Sequence, residues 1–380
     1  MNGKCLTFDA EYLQWRADMR ERKIQRQTLR LIDANLNRAR EAVRVIEDIV
    51  RFRMDDAAIY GSLRKIRLGL GDFASTLGIA PAALLAARRS SADVGREALH
   101  RTSKIAPDDP TQIISRNFAR LQEALRSLEE TARAVQPAAS ADLQAWRFAA
   151  YDLQQACVLT LTRQSLLENR RLYALLSEKF SPKGAERTAR LLLKGGVDII
   201  QIREKAISVA NLIEHTKKIA AMCRRAGAIS IANDRVDVAM AADADGVHLG
   251  PEDMPIAQAR SILGANKIIG ATTRSLAMAR RAVRAGADYV AIGPARRSSV
   301  AAHKKPISAA TLQAVLREIK IPVFVIGGID SKNLPDIMKS GVRRIAACTA
   351  LTAAGDPAAA ARFFLKKLSQ QVPVRSQGKI

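Results

Sequence analysis

Aromatic residues are scarce in this chain, at 4% of 380 positions. That scarcity weakens any reading as a single-strand nucleic-acid platform, which needs rings for the bases to stack on. Cysteine is sparse too: Cys5, Cys157, Cys223 and Cys348 stand far apart, with no CxxC pair and no Cys/His metal spacing. The four argue against a metal finger or a redox dithiol and fit a reducing cytoplasm without disulfides. No apolar run reaches the roughly 18 to 20 residues that spanning a bilayer requires, so no membrane partner is expected. The opening MNGKCLTFDAEYLQWR brings in charge early and has no apolar signal core, so secretion is not expected. A GxxxxGK[ST] phosphate loop is absent, and so is any run of five or six like charges.

Positive charge, by contrast, is plentiful, with a net value of +24. It is unevenly placed. Residues 1–170 hold 27 Lys/Arg against 21 Asp/Glu, and residues 171–380 hold 34 against 16. A basic half suits anionic partners, either nucleic acid or phosphorylated small molecules; a basic solvated surface accounts for many of the charges equally well. The length exceeds one ordinary domain and implies two.

After an N-terminal extension (1–23), residues 24–168 read as an all-α domain: few Gly or Pro, many Ala, Leu, Arg and Glu, and no sustained alternation. A duplication lies within it. Asn35, Arg38, Glu41, Ala42, Arg44, Glu47 and Arg51 recur 82 residues later as Asn117, Arg120, Glu123, Ala124, Arg126, Glu129 and Arg133. The apolar positions repeat as well. Leu36, Ala39, Val43, Ile46 and Val50 step by three and four, as do Phe118, Leu121, Leu125, Leu128 and Ala132. Such spacing forms one seam along a helix, and two such helices can pack seam to seam. The polar set has two readings. It is either a row of surface pairs worth about 0.2–0.5 kcal/mol each, or a polar cleft built from both copies that grips a phosphate.

From residue 169 to 368 the texture changes. Strand-like runs at 172–177, 197–204, 228–234, 244–250, 267–273, 288–294, 322–328 and 344–350 alternate with amphipathic helical stretches. Eight βα units in about 200 residues predict an α/β fold, a (β/α)8 TIM barrel. A tail over 369–380 reads as flexible. Polar residues fall at the C-terminal ends of the strands, where barrels place their chemistry. They include Gln201, Arg203, Glu204, Lys205, Asn233, Asp234, Arg235, His248, Asp253, Thr272, Thr273, Gly327, Gly328 and Thr349. Arg203 and Lys205 alternate by two and are expected on one face. Two cations beside two carboxylates suit a Mg2+-diphosphate: hard oxygens for the metal, Arg and Lys for the phosphates. Each residue alone has a plainer role: a strand-end Asp such as Asp243 or Asp330 as a helix N-cap, His248 as a packed core residue, Gly327-Gly328 as a turn. Their order on consecutive strand ends is what points to a site.

That order resembles thiamine-phosphate synthase. QIREK at 201–205, NDR at 233–235, DGVHLGPED at 245–253, IGATT at 269–273, GGI at 327–329 and ACTAL at 347–351 carry the resemblance through nearly all of residues 171–368. It implies Mg2+ on Asp234 and Asp253. It implies a pyrimidine diphosphate held by Arg203, Lys205 and Asn233, with Gln201 near the pyrimidine and Thr272 where the family has a serine near the reacting centre. Gly328 and the backbone around Thr349 would hold a thiazole phosphate. Catalysis, by the resemblance, falls to Arg203, Lys205 and Thr272.

The sequence departs from the family at one loop. After Gly293-Pro294 the family reads roughly Phe-Pro-Thr-x-Thr-Lys, whereas this chain has ARRSSVAAHKKP at 295–306. Ser298 and Ser299 stand in for the hydroxyls, and Arg296, Arg297, Lys304 or Lys305 for the charge. Pro251 replaces the usual Gln. LIDANLNRAREAVRVIEDIVRF, RRSSADVG at 88–95 and ALRSLEETARA resemble the helical domain fused ahead of many bacterial synthases, regarded as a hydroxymethylpyrimidine-phosphate kinase. The resemblance implies ATP there, and the repeated polar set supplies its candidate residues: Asn35, Arg38, Glu41, Arg44, Glu47, Asn117, Arg120, Glu123, Arg126 and Glu129. A bifunctional cytoplasmic enzyme acting on small molecules is expected, with a homo-oligomer compatible. The alternatives are a barrel of altered activity, as in the thiazole tautomerase branch, and a non-catalytic basic protein binding nucleic acid. Strand-end placement of the cations argues against the last.

Overall fold

A computed structural model describes residues 24–89, 109–204, 207–297 and 305–370. The chain divides between Leu161 and Thr162 into two units. The first holds α1 (Arg26–Ile49), a π-helical turn (Val50–Met54), α2 (Ala57–Thr76), α3 (Pro81–Ala87), α4 (Pro110–Val135) and α5 (Ser140–Glu168), inside which the division falls. Both apolar seams of the duplicated motif are buried, and α1 packs against α4 in one core. Asp56 and Asp109 cap α2 and α4 by accepting two backbone N–H groups each. Such caps satisfy donors that a helix start leaves open.

The repeated polar set splits in two. Its Asn and its second Glu are buried: Asn35, Asn117, Glu47 and Glu129. Each Asn donates back to the carbonyl four residues earlier, Asn35 to Leu31 and Asn117 to Ile113, and Asn35 also donates to Ser127 Oγ on the opposite helix at 3.0 Å. Each Glu takes an Nε–H from an arginine of another helix, Arg67 at 2.7 Å for Glu47 and Arg147 at 3.0 Å for Glu129. Arg126 and Arg133 join Glu129; burial pushes its carboxyl up, but Arg147 and Arg126 outweigh that, so it titrates below the ordinary value. Arg38, Glu41, Arg44 and Arg51, with Arg120, Glu123, Arg126 and Arg133, remain exposed. Part of the repeat therefore serves packing, which the surface-pair reading does not anticipate.

The second unit opens on β1 (Leu172–Leu176), α6 (Ala185–Lys194), β2 (Ile199–Ile202), α7 (Val209–Ala226), β3 (Ile229–Asn233), α8 (Val236–Ala241), β4 (Gly246–Leu249) and α9 (Ile256–Leu263). It continues through β5 (Ile268–Thr273), α10 (Leu276–Arg284), β6 (Tyr289–Ile292), α11 (Ala309–Glu318) and β7 (Val323–Ile326). Last come α12 (Leu334–Lys339), β8 (Ile345–Ala347), α13 (Thr349–Thr352) and α14 (Pro357–Ser369). The strands are parallel neighbours in sequence order and β8 closes on β1, as the eight-unit rhythm predicts. Strand alternation sorts the side chains. Leu172, Ala174 and Leu176 face the helical layer, while Tyr173 points inward with Ile199, Ile231, Ile268, Tyr289 and Phe324. Leu167, at the end of α5, packs into this inner cluster.

The opposite rim is built from aspartates. Asp198 accepts from the backbone of Arg171 and Leu172, Asp245 from Ser230, and Asp288 from Ile269. Each precedes a strand and ties it to its neighbour. The helix-cap role expected for Asp243 is not what the structure shows. Asp243 follows α8 with a left-handed φ of 49° and pairs with Lys267 and Arg224, both at 2.7 Å. Asp330 does serve as a turn cap before α12, accepting from Lys332 and Asn333. The structure ends β8 at Ala347, so Thr349 opens a short helix instead of closing a strand. Among the described residues no single helix is long and apolar enough to cross a membrane.

Candidate active site

The C-terminal ends of the strands surround a cavity of about 750 Å³. Gln201 and Arg203 reach it from the end of β2, Asn233 and Asp234 from β3, His248, Gly250 and Asp253 from β4, and Thr272 from β5. Gly327 and Gly328 enter after β7 and Thr349 after β8. These residues were singled out along 149 positions of sequence, from 201 to 349, and the closed barrel brings them to one wall. Lys205, Ser298, Ser299 and Lys304 lie outside the described residues, as do residues 90–95 of the RRSSADVG segment. Glu204 turns to the backbone N–H of Glu178 at 2.6 Å, and Arg235 pairs with Asp237. Neither lines the cavity.

The polar groups are not equally engaged. Arg203 makes no ion pair among the described residues, which leaves a cation available beside Asn233. Asp253 Oδ2 accepts the Gly250 N–H at 2.6 Å, which fixes its carboxylate at the mouth of β4. Asp234 adopts a left-handed φ of 63°, a conformation that Asp tolerates better than most residues. Gly328 also has positive φ, and a Cβ there would stand 2.3 Å from the Arg297 carbonyl oxygen. Its missing side chain lets the segment following β6 lie on the Gly327-Gly328 turn, where Arg296 N–H meets the Gly327 carbonyl at 3.0 Å.

Beneath the cavity floor runs a chain of hydroxyls that the motif reading did not include. Gln201 Nε2 donates to Tyr173 Oη at 2.8 Å, and the Tyr173 and Tyr289 oxygens lie 2.9 Å apart. Tyr289 Oη is 3.0 Å from His248 Nδ1, and His248 Nε2 is 2.8 Å from Thr272 Oγ1. Burial lowers the His248 pKa to about 4, against the opposing pull of Asp253. Burial likewise pushes both tyrosines up. His248 is thus at once the packed histidine that its apolar strand suggests and a residue lining the cavity. The available signal for Tyr173 and Tyr289 was chemical: a buried Tyr in an apolar strand requires a partner for its hydroxyl.

For a divalent cation the test is the donor set. Among the described residues no three His, Cys, Asp or Glu side chains cluster as a metal cage. Mg2+ does not demand one, since it keeps waters and takes one or two carboxylates together with substrate phosphates. Asp234 and Asp253 on the same wall as Arg203 fit that mode.

Fold and cavity together define a (β/α)8-barrel enzyme whose C-terminal mouth presents cation, carboxylates and amides to a small anionic substrate. The thiamine monophosphate synthase family matches residues 172–351, and the ThiD2 family matches residues 30–156. Thiamine-phosphate synthase from Thermosynechococcus vestitus is 36% identical over 351 residues, covering 90% of this chain and 96% of the relative. That from Gloeobacter violaceus is 36% identical over 342 residues, covering 90% and 97%. A solved thiamine phosphate pyrophosphorylase from Pyrococcus furiosus is 36% identical, covers 55% of this chain and 98% of its own, and has a TM-score of 0.49. The chain belongs to the thiamine-phosphate synthase family, a family of transferases, with a ThiD2-type helical unit ahead of the barrel.

Proposed function

We propose that the barrel joins hydroxymethylpyrimidine diphosphate to a thiazole phosphate, giving thiamine phosphate and diphosphate. The observation that carries this reading is the convergence of Gln201, Arg203, Asn233, Asp234, Asp253 and Thr272 on one cavity. The bond from the pyrimidine methylene to the diphosphate oxygen breaks, and the thiazole nitrogen forms a new C–N bond to that carbon. Charge appears on the departing diphosphate, and Arg203, with Lys205 by family analogy, meets it without rearrangement. Asn233 donates to the same oxygens. Asp234 and Asp253 would hold Mg2+, which would neutralise the leaving group further. Gly328 and the backbone at Thr349 supply the thiazole phosphate with a cup of the kind barrels form after strands seven and eight. The helical unit would phosphorylate hydroxymethylpyrimidine phosphate with ATP, a reading that the match to the ThiD2 family supports. Its exposed Arg38, Arg44, Arg120 and Arg126 suit phosphate contacts. Cys157, Cys223 and Cys348 are free thiols, which supports a cytoplasmic setting.

The test is a Mg2+-dependent assay of the full chain with both substrates, following thiamine phosphate. Turnover that disappears in Asp234→Asn, a change that retains tolerance of the left-handed backbone, supports the synthase. A folded wild type that binds diphosphate without turnover overturns it. The altered 295–306 loop would then be the place where the reaction was lost. Separate incubation with ATP and hydroxymethylpyrimidine phosphate tests the helical unit.

A further inference from the structure

The chain of hydroxyls under the cavity has a direction. We propose that Tyr173 and Tyr289 are positioning residues that set, through His248, which way Gln201 and Thr272 present their hydrogen bonds to the substrate. The protons along the chain fix that direction. Gln201 donates from Nε2, so Tyr173 Oη accepts there. The single proton of Tyr173 then needs an acceptor, and among the described residues the one within reach is Tyr289 Oη at 2.9 Å. Tyr289 accepts that proton and passes its own to His248 Nδ1, 3.0 Å away. His248 must therefore carry its proton on Nε2, which donates to Thr272 Oγ1 at 2.8 Å. The Thr272 hydroxyl, already accepting, keeps its own proton for the cavity.

With Gln201 donating from Nε2, any other arrangement strands a buried donor. An imidazolium, or a neutral ring protonated on Nδ1, would make Tyr289 accept from His248 and donate to Tyr173. Tyr173 would then accept twice, and its own proton would have no acceptor among the described residues. Tyr173 and Tyr289 are 1% and 0% exposed, so water does not repair that loss. A buried hydroxyl left unpaired disfavours its arrangement by roughly tenfold or more, enough to select one direction. Gly270 belongs to the device as well. A Cβ at that position would lie 2.3 Å from Tyr289 Oη, so the ring can reach His248 only across a glycine.

The consequence is a polarised site. Thr272 offers a donor. Gln201 offers its Oε1 as acceptor beside one remaining N–H, which matches the amino group and neighbouring ring nitrogen of an aminopyrimidine. That last match rests on the proposed synthase reaction. The direction of the chain does not, being a property of the protein without substrate.

The experiment is 15N NMR of the full chain labelled at histidine. The chain has four histidines, and His248→Gln assigns the relevant pair of signals. The unliganded protein is expected to show His248 as the neutral Nε2–H tautomer. Tyr173→Phe should leave that tautomer in place, because Tyr289 can still donate to Nδ1, while raising the KM for the pyrimidine diphosphate about tenfold as Gln201 loses its anchor. Tyr289→Phe should release the tautomer and lower kcat, with no further loss when Thr272→Val is added. An Nδ1–H signal in the wild type overturns the proposal, and so does an identical response of the tautomer to both tyrosine variants. Should the wild type show the expected tautomer yet make no thiamine phosphate, the synthase reading fails and the direction of the chain stands.

Discussion

Arg163 Nε donates to Asp288 Oδ1 at 2.8 Å, and both side chains are more than nine-tenths buried although 125 residues separate them. Asp288 gives its second oxygen to Arg260 at 2.6 Å and to the backbone N–H of Ile269 at 2.8 Å. One carboxylate thus ties the end of α5, helix α9 and strand β5 to the start of β6. Removing one partner of a buried pair leaves a charge without compensation. We expect Arg163→Met to cost about 3 kcal/mol, the low end for such pairs because Arg260 stays. Urea unfolding of the full chain, read at the transition of the barrel unit, checks it. A loss under about 1 kcal/mol would show that the pair is energetically neutral.

The duplicated glutamates should respond unequally. Glu47 depends on Arg67 at 2.7 Å, with Arg44 only at 4.0 Å, and its Oε1 has no hydrogen-bond partner among the described residues. Glu129 holds Arg126, Arg133 and Arg147 together. Arg67→Ala should therefore destabilise the helical unit by about 3 kcal/mol, and Arg147→Ala by clearly less. Equal losses would mean that the exposed arginines around Glu129 contribute nothing.

Charge and geometry can be separated at Asp253. Asn in its place keeps an oxygen to accept the Gly250 N–H, which now lies at 2.6 Å from Oδ2, but removes the negative charge. The melting temperature should change little, while turnover falls at least about a hundredfold if the carboxylate helps to hold the metal. Preserved activity at limiting Mg2+ would remove Asp253 from the ligand set.

Acid should weaken the barrel through His248. Its pKa falls from 6.5 to about 4 in the folded protein, because burial penalises the charged ring. Between those values the unfolded chain takes up a proton that the native state refuses. Stability is complete above about pH 6.5 and declines as the pH drops towards 4, by roughly 3 kcal/mol at most. His248→Gln, which retains a donor towards Thr272, should remove this part of the slope. Identical pH profiles for variant and wild type would show that other groups carry the acid response.

Much of the fold was legible because it obeys short periods. The apolar steps of three and four from Leu36 to Val50 and from Phe118 to Ala132 mark two helices whose seams are indeed buried and packed together. The eight apolar runs mark the strands, each slightly too long. The run 197–204 narrows to Ile199–Ile202 and 344–350 to Ile345–Ala347, since flanking residues share strand composition but leave the ladder to enter loops. The cavity lining was legible at Gln201, Arg203, Asn233, Asp234, Asp253 and Thr272 because strand ends of a barrel all open on one face. Asp243 was misread because a lone Asp near a strand looks like a cap, and only its neighbours Lys267 and Arg224 reveal a surface pair.

The sequence by itself determined which residues could be buried, where helices and strands alternate, and which polar groups stand at strand ends. Those are local properties, set by spacing and side-chain chemistry. The tertiary structure decided what required distant partners. Closing eight strands set Tyr173 beside Tyr289, 116 positions apart, and turned two apolar-strand tyrosines into a link between Gln201 and Thr272. Packing also decided that Glu47 and Glu129 lie inside, where arginines from other helices must reach them. A hydrogen bond needs its partner within about 3 Å, and no pattern in a single strand or helix says which distant residue will arrive there.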